Sequence, residues 1–251
     1  MRKRTFADIP ILEFDEIDST NKYCLDNLKD LIDAFPYTSK WLKTVVIANH
    51  QTMGKGRRDR EWLSHPNSSM LASFIVYPKY YGTMLDTGLM MCLVNEILNE
   101  HGVPSKIKWP NDIMGTSDVG KNTKKLSGVL TQIVDDHLVI GIGINITSGS
   151  SGNIEDSDCL ETYGFSVTNI ELLDMIIKKI VDFDSSNISS GDILKMYRNH
   201  SATLGKTVRV EAMNEVYEGK VIDFADNGAL ILEIPSGREI ELNEGDVIHL
   251  R

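Results

Sequence analysis

Residues Gln51 to Trp62, QTMGKGRRDREW, place Gly54 and Gly56 among Lys55, Arg57, Arg58 and Arg60, and this basic segment sits between two apolar runs. The first run is Val45 to Asn49 and the second is Met70 to Tyr77 (MLASFIVY), ended by Pro78. Uninterrupted apolar stretches of this length, bounded by turn residues, read as strands. The segment between them is therefore a loop held at both ends by buried structure. Two glycines let backbone N–H groups come close to an anion while the neighbouring side chains neutralise it. A solvated hairpin loop is the other reading, and a Walker-type phosphate loop is excluded because the GK[ST] spacing is missing.

The loop stands out because the chain is otherwise acidic, with a net charge of -10 over 251 residues. That balance argues against a dedicated nucleic-acid binder, which needs a basic face for phosphates. A small anionic ligand needs only a local cationic loop. Apolar residues make up 41% and charged residues 25%, ordinary values for a globular chain able to bury a large core. Cys24, Cys92 and Cys159 are odd in number and far apart, which suggests neither a disulfide framework nor a zinc knuckle and points to a reducing, cytoplasmic setting. FADIPILEF after the basic Met1–Arg4 is interrupted by Asp and Pro and too short for a signal peptide. No run approaches the roughly 18 apolar residues of a membrane span.

Helical spacing predicts helices over Thr20 to Leu31, Leu85 to Asn99, Ile170 to Phe183 and Gly191 to His200. Ser19 or Thr20 supplies an N-cap for the first, and His101-Gly102 closes the second, which reads as buried. Lys106 to Trp109, Ser127 to Val134 and Leu138 to Ile146 are further strands, the last two joined at Asp135-Asp136. Gly115 to Lys124 and Gly149 to Asp158 read as polar loops within the larger domain. From Leu204 the texture changes to TVRVE, VYEGKVIDF, ALILEI, REIEL and DVIHL, separated by turn signals, which predicts a small β-barrel.

Three further segments carry polar groups suited to chemistry. In KWPNDIM, Lys108, Asn111 and Asp112 follow a stiff Trp109-Pro110 at a strand end. Asn111 offers paired donor and acceptor groups for a base or ureido edge, with Asp112 near a charged centre; an Asn/Asp-stabilised turn is the structural alternative. KLSG (Lys125 to Gly128) and GIGIN (Gly141 to Asn145) put a lysine and glycines in strands, where glycine marks close approach of a ligand or backbone. GIGIN ends a strand rather than opening a helix, so it is no dinucleotide fingerprint. No HExxH, HxH pair or G-x-S-x-G occurs, which disfavours metalloprotease and α/β-hydrolase chemistry.

Taken in order, DSTN (Asp18 to Asn21), QTMGKGRRDREW, KWPNDI, KLSGVL and GIGINI resemble the biotin-protein ligase family, over about residues 10 to 150. The resemblance implies an α+β, class II synthetase-like fold, a mixed central β-sheet flanked by helices, with a small C-terminal SH3-like β-barrel. It divides the chain into a catalytic biotin- and ATP-binding domain, 1–203, and a β domain, 204–251. It implies that Ser19, Thr20 and Gln51 hold the biotin ureido ring, that Asn21 also binds biotin, and that Lys55, Gly56 and Arg57 contact biotin and close on the adenylate. Lys125 corresponds to a lysine between the biotin carboxylate and the α-phosphate, beside Gly128. Gly54, Arg58, Trp62, Lys108, Asn111 and Asn145 fall on the nucleotide side, Trp62 near the adenine.

The implied chemistry suits these residue types. A carboxylate is ionised at neutral pH, so the task is to bring two anions together and stabilise charge on the α-phosphate, which Lys125, Arg57 and Lys55 can do. ATP and biotin are substrates, and magnesium is expected on the departing pyrophosphate through substrate oxygens and water, with no chain ligands assigned. In the second step an acceptor lysine, with an unperturbed pKa of about 10.4, must lose a proton, and Asp112 is the candidate to orient it. The family expectation for the acceptor is a biotin carboxyl carrier domain.

Where the family loop commonly reads GRGRRGRxW, this chain has Lys55 for the first Arg and Asp59 for the later Gly, losing a bidentate fork and adding a negative charge. KLSGVL continues with Thr131-Gln132, where an acidic residue is common, and no catalytic role is assigned there. A lipoate or octanoate ligase or transferase is the alternative. A repressor with a DNA-binding domain is disfavoured, since DSTN begins at Asp18, without the about 50–60 residues such a domain takes. Neither membrane nor DNA binding is expected. The C-terminal module resembles a family element that helps position ATP or the acceptor; it offers no evident chemical group, and a structural cap is the equal alternative. The oligomeric state is open, the family including monomers and dimers.

Overall fold

The computed structural model describes residues 1–35, 41–58, 60–78, 84–116, 123–150, 156–184, 188–213 and 215–250. The chain opens with strands β1 (Arg2–Phe6) and β2 (Ile9–Ile17), helices α1 (Thr20–Asp26) and α2 (Leu28–Asp33), then β3 (Leu42–Gln51) and β4 (Ser69–Val76). Helix α3 (Met84–Glu100) leads to β5 (Ser105–Lys108), β6 (Asp112–Thr116), β7 (Thr123–Val134) and β8 (His137–Asn145). A short 3-10 turn, Leu160–Tyr163, precedes helices α4 (Asn169–Asp184) and α5 (Ser190–His200). Strands β9 (Thr207–Glu211), β10 (Val216–Phe224), β11 (Leu230–Glu233), β12 (Glu239–Leu242) and β13 (Asp246–His249) complete the chain.

The first eight strands form one sheet in the order β1-β2-β3-β4-β8-β7-β6-β5. It is mixed, because β2 and β3 are parallel while the other pairs are antiparallel. The last five form a second, antiparallel sheet, ordered β12-β11-β10-β9-β13. The α+β class read from the sequence is thus the observed one.

Both faces of the large sheet are covered, and strand alternation sorts the side chains between them. Val45, Ile47, Phe74, Ile140 and Ile142 face the main core with α3, α4 and α5, whereas Val46, Ile75 and Val139 pack under α1 and α2 with Leu12, Cys24 and Leu28. A strand buried on both sides reads as a continuous apolar run, which is why MLASFIVY lacks alternation. Helix α3 is buried around most of its circumference, and Gly102 ends it at φ 78. Helix α5 carries the capping box of Ser189 and Asp192.

Four features depart from the sequence expectation. β1 and β2 form a hairpin through Ala7 and Asp8, both at positive φ, where the sequence shows an Asp- and Pro-interrupted stretch without an Asn-Gly turn signal. The helix expected over Thr20 to Leu31 is two helices broken at Asn27, whose side-chain amide donates to Tyr23 O at 2.9 Å and competes with the helical pattern. β6 is an additional strand pairing both β5 and β7, and β7 begins at Thr123, so the ends of the Gly115 to Lys124 loop are strand. Residues 117–122 of that loop, 151–155 of the Gly149 to Asp158 loop, and Asp59 lie outside the described residues.

The small sheet shares its core with the large domain. Val208, Val210, Val221, Phe224, Leu230 and Leu232 are buried in the same cluster as α3 and β8. Trp109, 1% exposed, anchors the junction: its indole N–H donates to Gly228 O at 3.3 Å and its backbone N–H to Thr203 Oγ1 at 3.1 Å. Tyr197 meets Phe224 edge-on, and Arg198 pairs with Asp223 at 2.6 Å. Trp109→Ala is expected to lower stability by about 3–5 kcal/mol, the range for emptying a large aromatic site. Denaturant titration checks this, and a loss below about 1 kcal/mol would show that the junction does not depend on the indole.

Candidate functional site

The same alternation that packs the sheet also hollows it. On β8, Val139 faces α1 and α2, and the next two positions on that face are Gly141 and Gly143. Gly128 lies opposite Gly143 on β7. A cleft opens over these glycines, roofed by the basic loop. The intervening Ile140, Ile142 and Ile144 bury their side chains on the opposite face, so the GIGIN pattern is one packed face and one cleared face.

At one end of the cleft stands a buried polar cluster. Ser19 caps α1, accepting from Lys22 N, and both Thr20 N–H and Thr20 O–H donate to Gln51 Oε1, at 2.7 and 2.9 Å. Ser73 Oγ lies 2.7 Å from Thr20 Oγ1 and 2.5 Å from Asn21 Oδ1. Asn21 Nδ2 donates to Leu130 O at 3.2 Å and Gln132 Oε1 at 3.1 Å. The amide oxygens of Asn21 and Gln51 are thereby committed, and the cluster is rigid before any ligand arrives. Gln132, to which the sequence assigned no role, is part of this scaffold.

The loop is a tight hairpin. Gly56 N–H donates to Arg60 O at 2.7 Å, Trp62 N–H donates to Gly54 O at 2.9 Å, and Lys55 bridges Glu61. Gly54 is needed for that closure, since a Cβ there would lie 2.6 Å from Trp62 O; it does not line the cleft. Trp62 returns over the cleared face, where a Cβ on Gly143 would stand 2.5 Å from the indole ring. The indole N–H of Trp62 is buried and has no acceptor among the described residues.

Two cations enter this space. Lys125 Nζ lies 2.6 Å from Asp112 Oδ1 and 5.6 Å from the centre of the Trp62 ring. The Lys125–Asp112 contact is a close ion pair on a carboxylate oxygen that is itself buried. Arg57 Nη1 donates to Asn111 Oδ1 and to Gly245 O, each at 3.3 Å, and lies 3.7 Å from Asp246 Oδ1. Burial lowers the Arg57 pKa from its ordinary value, opposed chiefly by Asp246, and a guanidinium starting that high stays charged.

The sequence candidates separate into two groups. Ser19, Thr20, Asn21, Gln51, Lys55, Gly56, Arg57, Trp62, Asn111, Asp112, Lys125 and Gly128 meet around the one cleft. Asn145 does not line it; its amide donates to Asp158 O at 3.0 Å and lies 3.5 Å from Lys125 O, fastening the backbone that carries Lys125. Lys108 also lies off the cleft, close enough to His249 to help depress the imidazole pKa, though burial is the larger cause. Arg58 points to the small sheet, donating to Glu211 O at 2.9 Å. Asn111 spends one donor on Val129 O at 2.9 Å and its oxygen on Arg57, so it is not a free donor–acceptor pair. Arg60, named only as part of the basic loop, also lines the cleft, as do Glu61 and Asp246, which the sequence did not single out. Asp246 brings a carboxylate of the C-terminal module to the cleft; its only sequence signal is an acidic turn that meets the basic loop on folding.

Comparisons with known proteins show the family. The model of the Biotin/lipoate A/B protein ligase family matches residues 14–145, just over half of the chain. The chain belongs to this family. The Biotin protein ligase C terminal domain model matches residues 203–250. Among relatives of this ligase family, the Biotin--[acetyl-CoA-carboxylase] ligase of Mycobacterium tuberculosis is 28% identical over 220 residues, covering 82% of this chain and 79% of that one. The Bifunctional ligase/repressor BirA of Bacillus subtilis is 26% identical; the match takes in 77% of this chain and 62% of that protein's length. The Biotin protein ligase from Aquifex aeolicus in complex with biotin and ATP has the same fold, with a TM-score of 0.76, 24% identity and coverage of 96% and 99%.

The contact between the indole and the glycine face is directly testable. Gly143→Ala forces Trp62 out of its seat, since the ring is rigid where the methyl would stand. The expected result is a red shift of tryptophan emission with a stability loss of about 1–3 kcal/mol. Unchanged emission and midpoint would mean that the ring accommodates the methyl.

Proposed function

We propose that this chain is an ATP-dependent, AMP-forming biotin-protein ligase. It joins biotin to ATP as biotinyl-5′-AMP, releasing pyrophosphate, and transfers the biotinyl group to a lysine of a biotin carboxyl carrier domain. The observation that carries this reading is the single cleft with a rigid polar end at Thr20 and Gln51 and a cationic end at Lys125 and Arg57. The polar end supplies donors and acceptors for a ureido ring, the cleared glycine face suits a flat apolar body, and the cations suit a carboxylate meeting a phosphate.

In the first step a biotin carboxylate oxygen attacks the α-phosphorus and pyrophosphate leaves. Lys125 offsets the charge of both reactants, and Arg57 supports the phosphate side. Asp112, paired to Lys125 at 2.6 Å, orients the ammonium. In the second step the neutral acceptor amine attacks the anhydride carbonyl and AMP leaves, and we assign Asp112 to orienting the incoming lysine. We assign Trp62 to packing on the adenylate, and Lys108, Arg58, Gly54 and Asn145 to supporting the loop or the strand beneath it.

Magnesium accompanies ATP in this reading. Among the described residues no three His, Cys, Asp or Glu side chains converge to hold a metal. The cleft's Asp112 and Asp246 already face cations, so the chain does not fit a metal cage of its own, and no step is assigned to one. Among the described residues no helix is long and apolar enough to cross a membrane. We place the division between catalytic and C-terminal domains at 203/204 and the protein in the cytoplasm, a setting supported by its three free, buried cysteines.

The lipoate alternative is separated by assay. Biotin-dependent pyrophosphate release with ATP and magnesium, and a biotin-sized mass gain on an added carrier domain, are the expected results. Lipoate-dependent release would move the chain to the other branch of the family, and silence with both would leave a binding scaffold. Lys125→Ala is expected to cut adenylate formation about 100-fold or more while biotin affinity falls much less, because the ureido contacts remain. Equal loss of both would contradict the assigned role.

A further inference from the structure

Lys125 reaches the cleft because β7 is bulged beside it. Ile113 of β6 pairs with Ser127 and Met114 with Lys125, so Leu126 is one residue too many for the ladder. Strict alternation would put Leu126 and Val129 on opposite faces, yet both pack into the main core. The extra residue therefore turns Lys125 onto the face of Gly128, where a Cβ would stand 3.0 Å from Lys125 Nζ. On its other edge β7 pairs with β8 only as far as Ser127. Beyond that point residues 156–158 take the place of β8 as a strap. Lys125 N–H donates to Asp156 O at 2.8 Å, and Asp158 N–H donates to Lys125 O at 2.9 Å.

The strap is held in turn by the Asp158 side chain, which does not line the cleft. Its Oδ1 accepts from Thr162 Oγ1 at 2.6 Å and from Cys159 N–H at 2.9 Å, and its Oδ2 accepts from Tyr163 Oη at 3.3 Å. Tyr163 has a seat on β6, since a Cβ on Gly115 would overlap its hydroxyl. Burial pushes the Tyr163 pKa up to about 12, so the phenol keeps the proton it donates.

We propose that Asp158 is a positioning residue for adenylate formation, acting on Lys125 through this backbone strap. A bulge loosens the ladder where it occurs, so the direction of Lys125 depends on what holds its free edge. Asp158 spends its oxygens on three donors of the following turn, and what it contributes at Lys125 is place. A side chain that only stabilised the turn would lower the melting midpoint and leave the turnover of the folded enzyme alone. Misplacing a charged group by a fraction of an ångström lowers turnover, because its effect on developing charge depends on geometry fixed in advance.

This inference rests on the proposed ligase reading, so biotin-dependent ATP–pyrophosphate exchange by the wild-type chain is measured first; its absence overturns that reading and this inference with it. With exchange established, Asp158→Ala is expected to lower kcat about tenfold while KM for biotin changes less than about twofold. Asp158→Asn, which keeps an oxygen for Cys159 N–H and Thr162 Oγ1, is expected to recover most of the loss. In a Lys125→Ala background, adding Asp158→Ala is expected to cost less than about a further twofold, because the group it positions is gone. Should Asp158→Ala not fold, Thr162→Val removes the shortest anchor and is expected to lower kcat about threefold. An unchanged kcat in a folded variant overturns the proposal with the ligase reading intact. So does an Asn variant as impaired as the Ala one, or a tenfold loss that persists without the Lys125 ammonium.

Discussion

A sheet packed on both faces leaves no room for a ligand unless side chains are taken away from part of one face. In this protein the removal is local. Val139 fills its face of β8 under α1 and α2, while Gly141 and Gly143 clear the following positions of the same face. The other face continues through Ile140, Ile142 and Ile144 without a gap, so the sheet keeps its full apolar burial on that side. The cleft is therefore made within the core architecture. Its floor is as rigid as the sheet, and its roof is a hairpin tied back on itself by Gly54 and Trp62.

The electrostatics follow from that placement. Cations brought into a partly buried cleft lose hydration, and an acidic chain offers carboxylates to offset the loss. Lys125 meets Asp112, and Arg57, Arg58 and Arg60 meet Asp246. Each pair also fixes direction: a lysine on a flexible stem is pinned beside a tryptophan ring, and a loop of arginines is held at one radius from the small sheet. Preorganisation of this kind strengthens the effect on charge that develops during reaction, since little reorientation is required.

Much of this was legible in the sequence because it depends on local pattern. The buried helix α3, the apolar strands β4 and β8, the hairpin at Asp135 and the five C-terminal strands each announce themselves by periodicity and turn residues. The N-terminal hairpin did not, because Ala7 and Asp8 adopt positive φ without the usual glycine and Pro10, which reads as a strand breaker, lies inside β2. The break at Asn27 was hidden because the apolar spacing runs through it. At the site, the clustering of Ser19, Thr20, Gln51, Arg57 and Lys125 followed motifs, whereas Asp246 is 186 residues from Arg60 and its relevance exists only in the fold. Gly54 and Asn145 belong to motifs yet act on backbone geometry, which spacing alone does not separate from ligand contact.

The segment Lys108 to Asp112 shows why a short motif can carry so much. Trp109 is buried at the junction and reaches Gly228 of the small sheet. Asn111 ties β7 to Arg57 of the roof, donating to Val129 O and accepting from the guanidinium. Asp112 pairs with Lys125 on the floor. One tight turn between β5 and β6 therefore sets the small sheet, the roof and the floor cation relative to each other, within four residues. A shift of the turn would displace all three together, so these positions are constrained by mutual geometry more than by their individual contacts. The arginine anchor at Asp246 depends on the same turn, because Trp109 fixes where the small sheet stands when its carboxylate meets the loop.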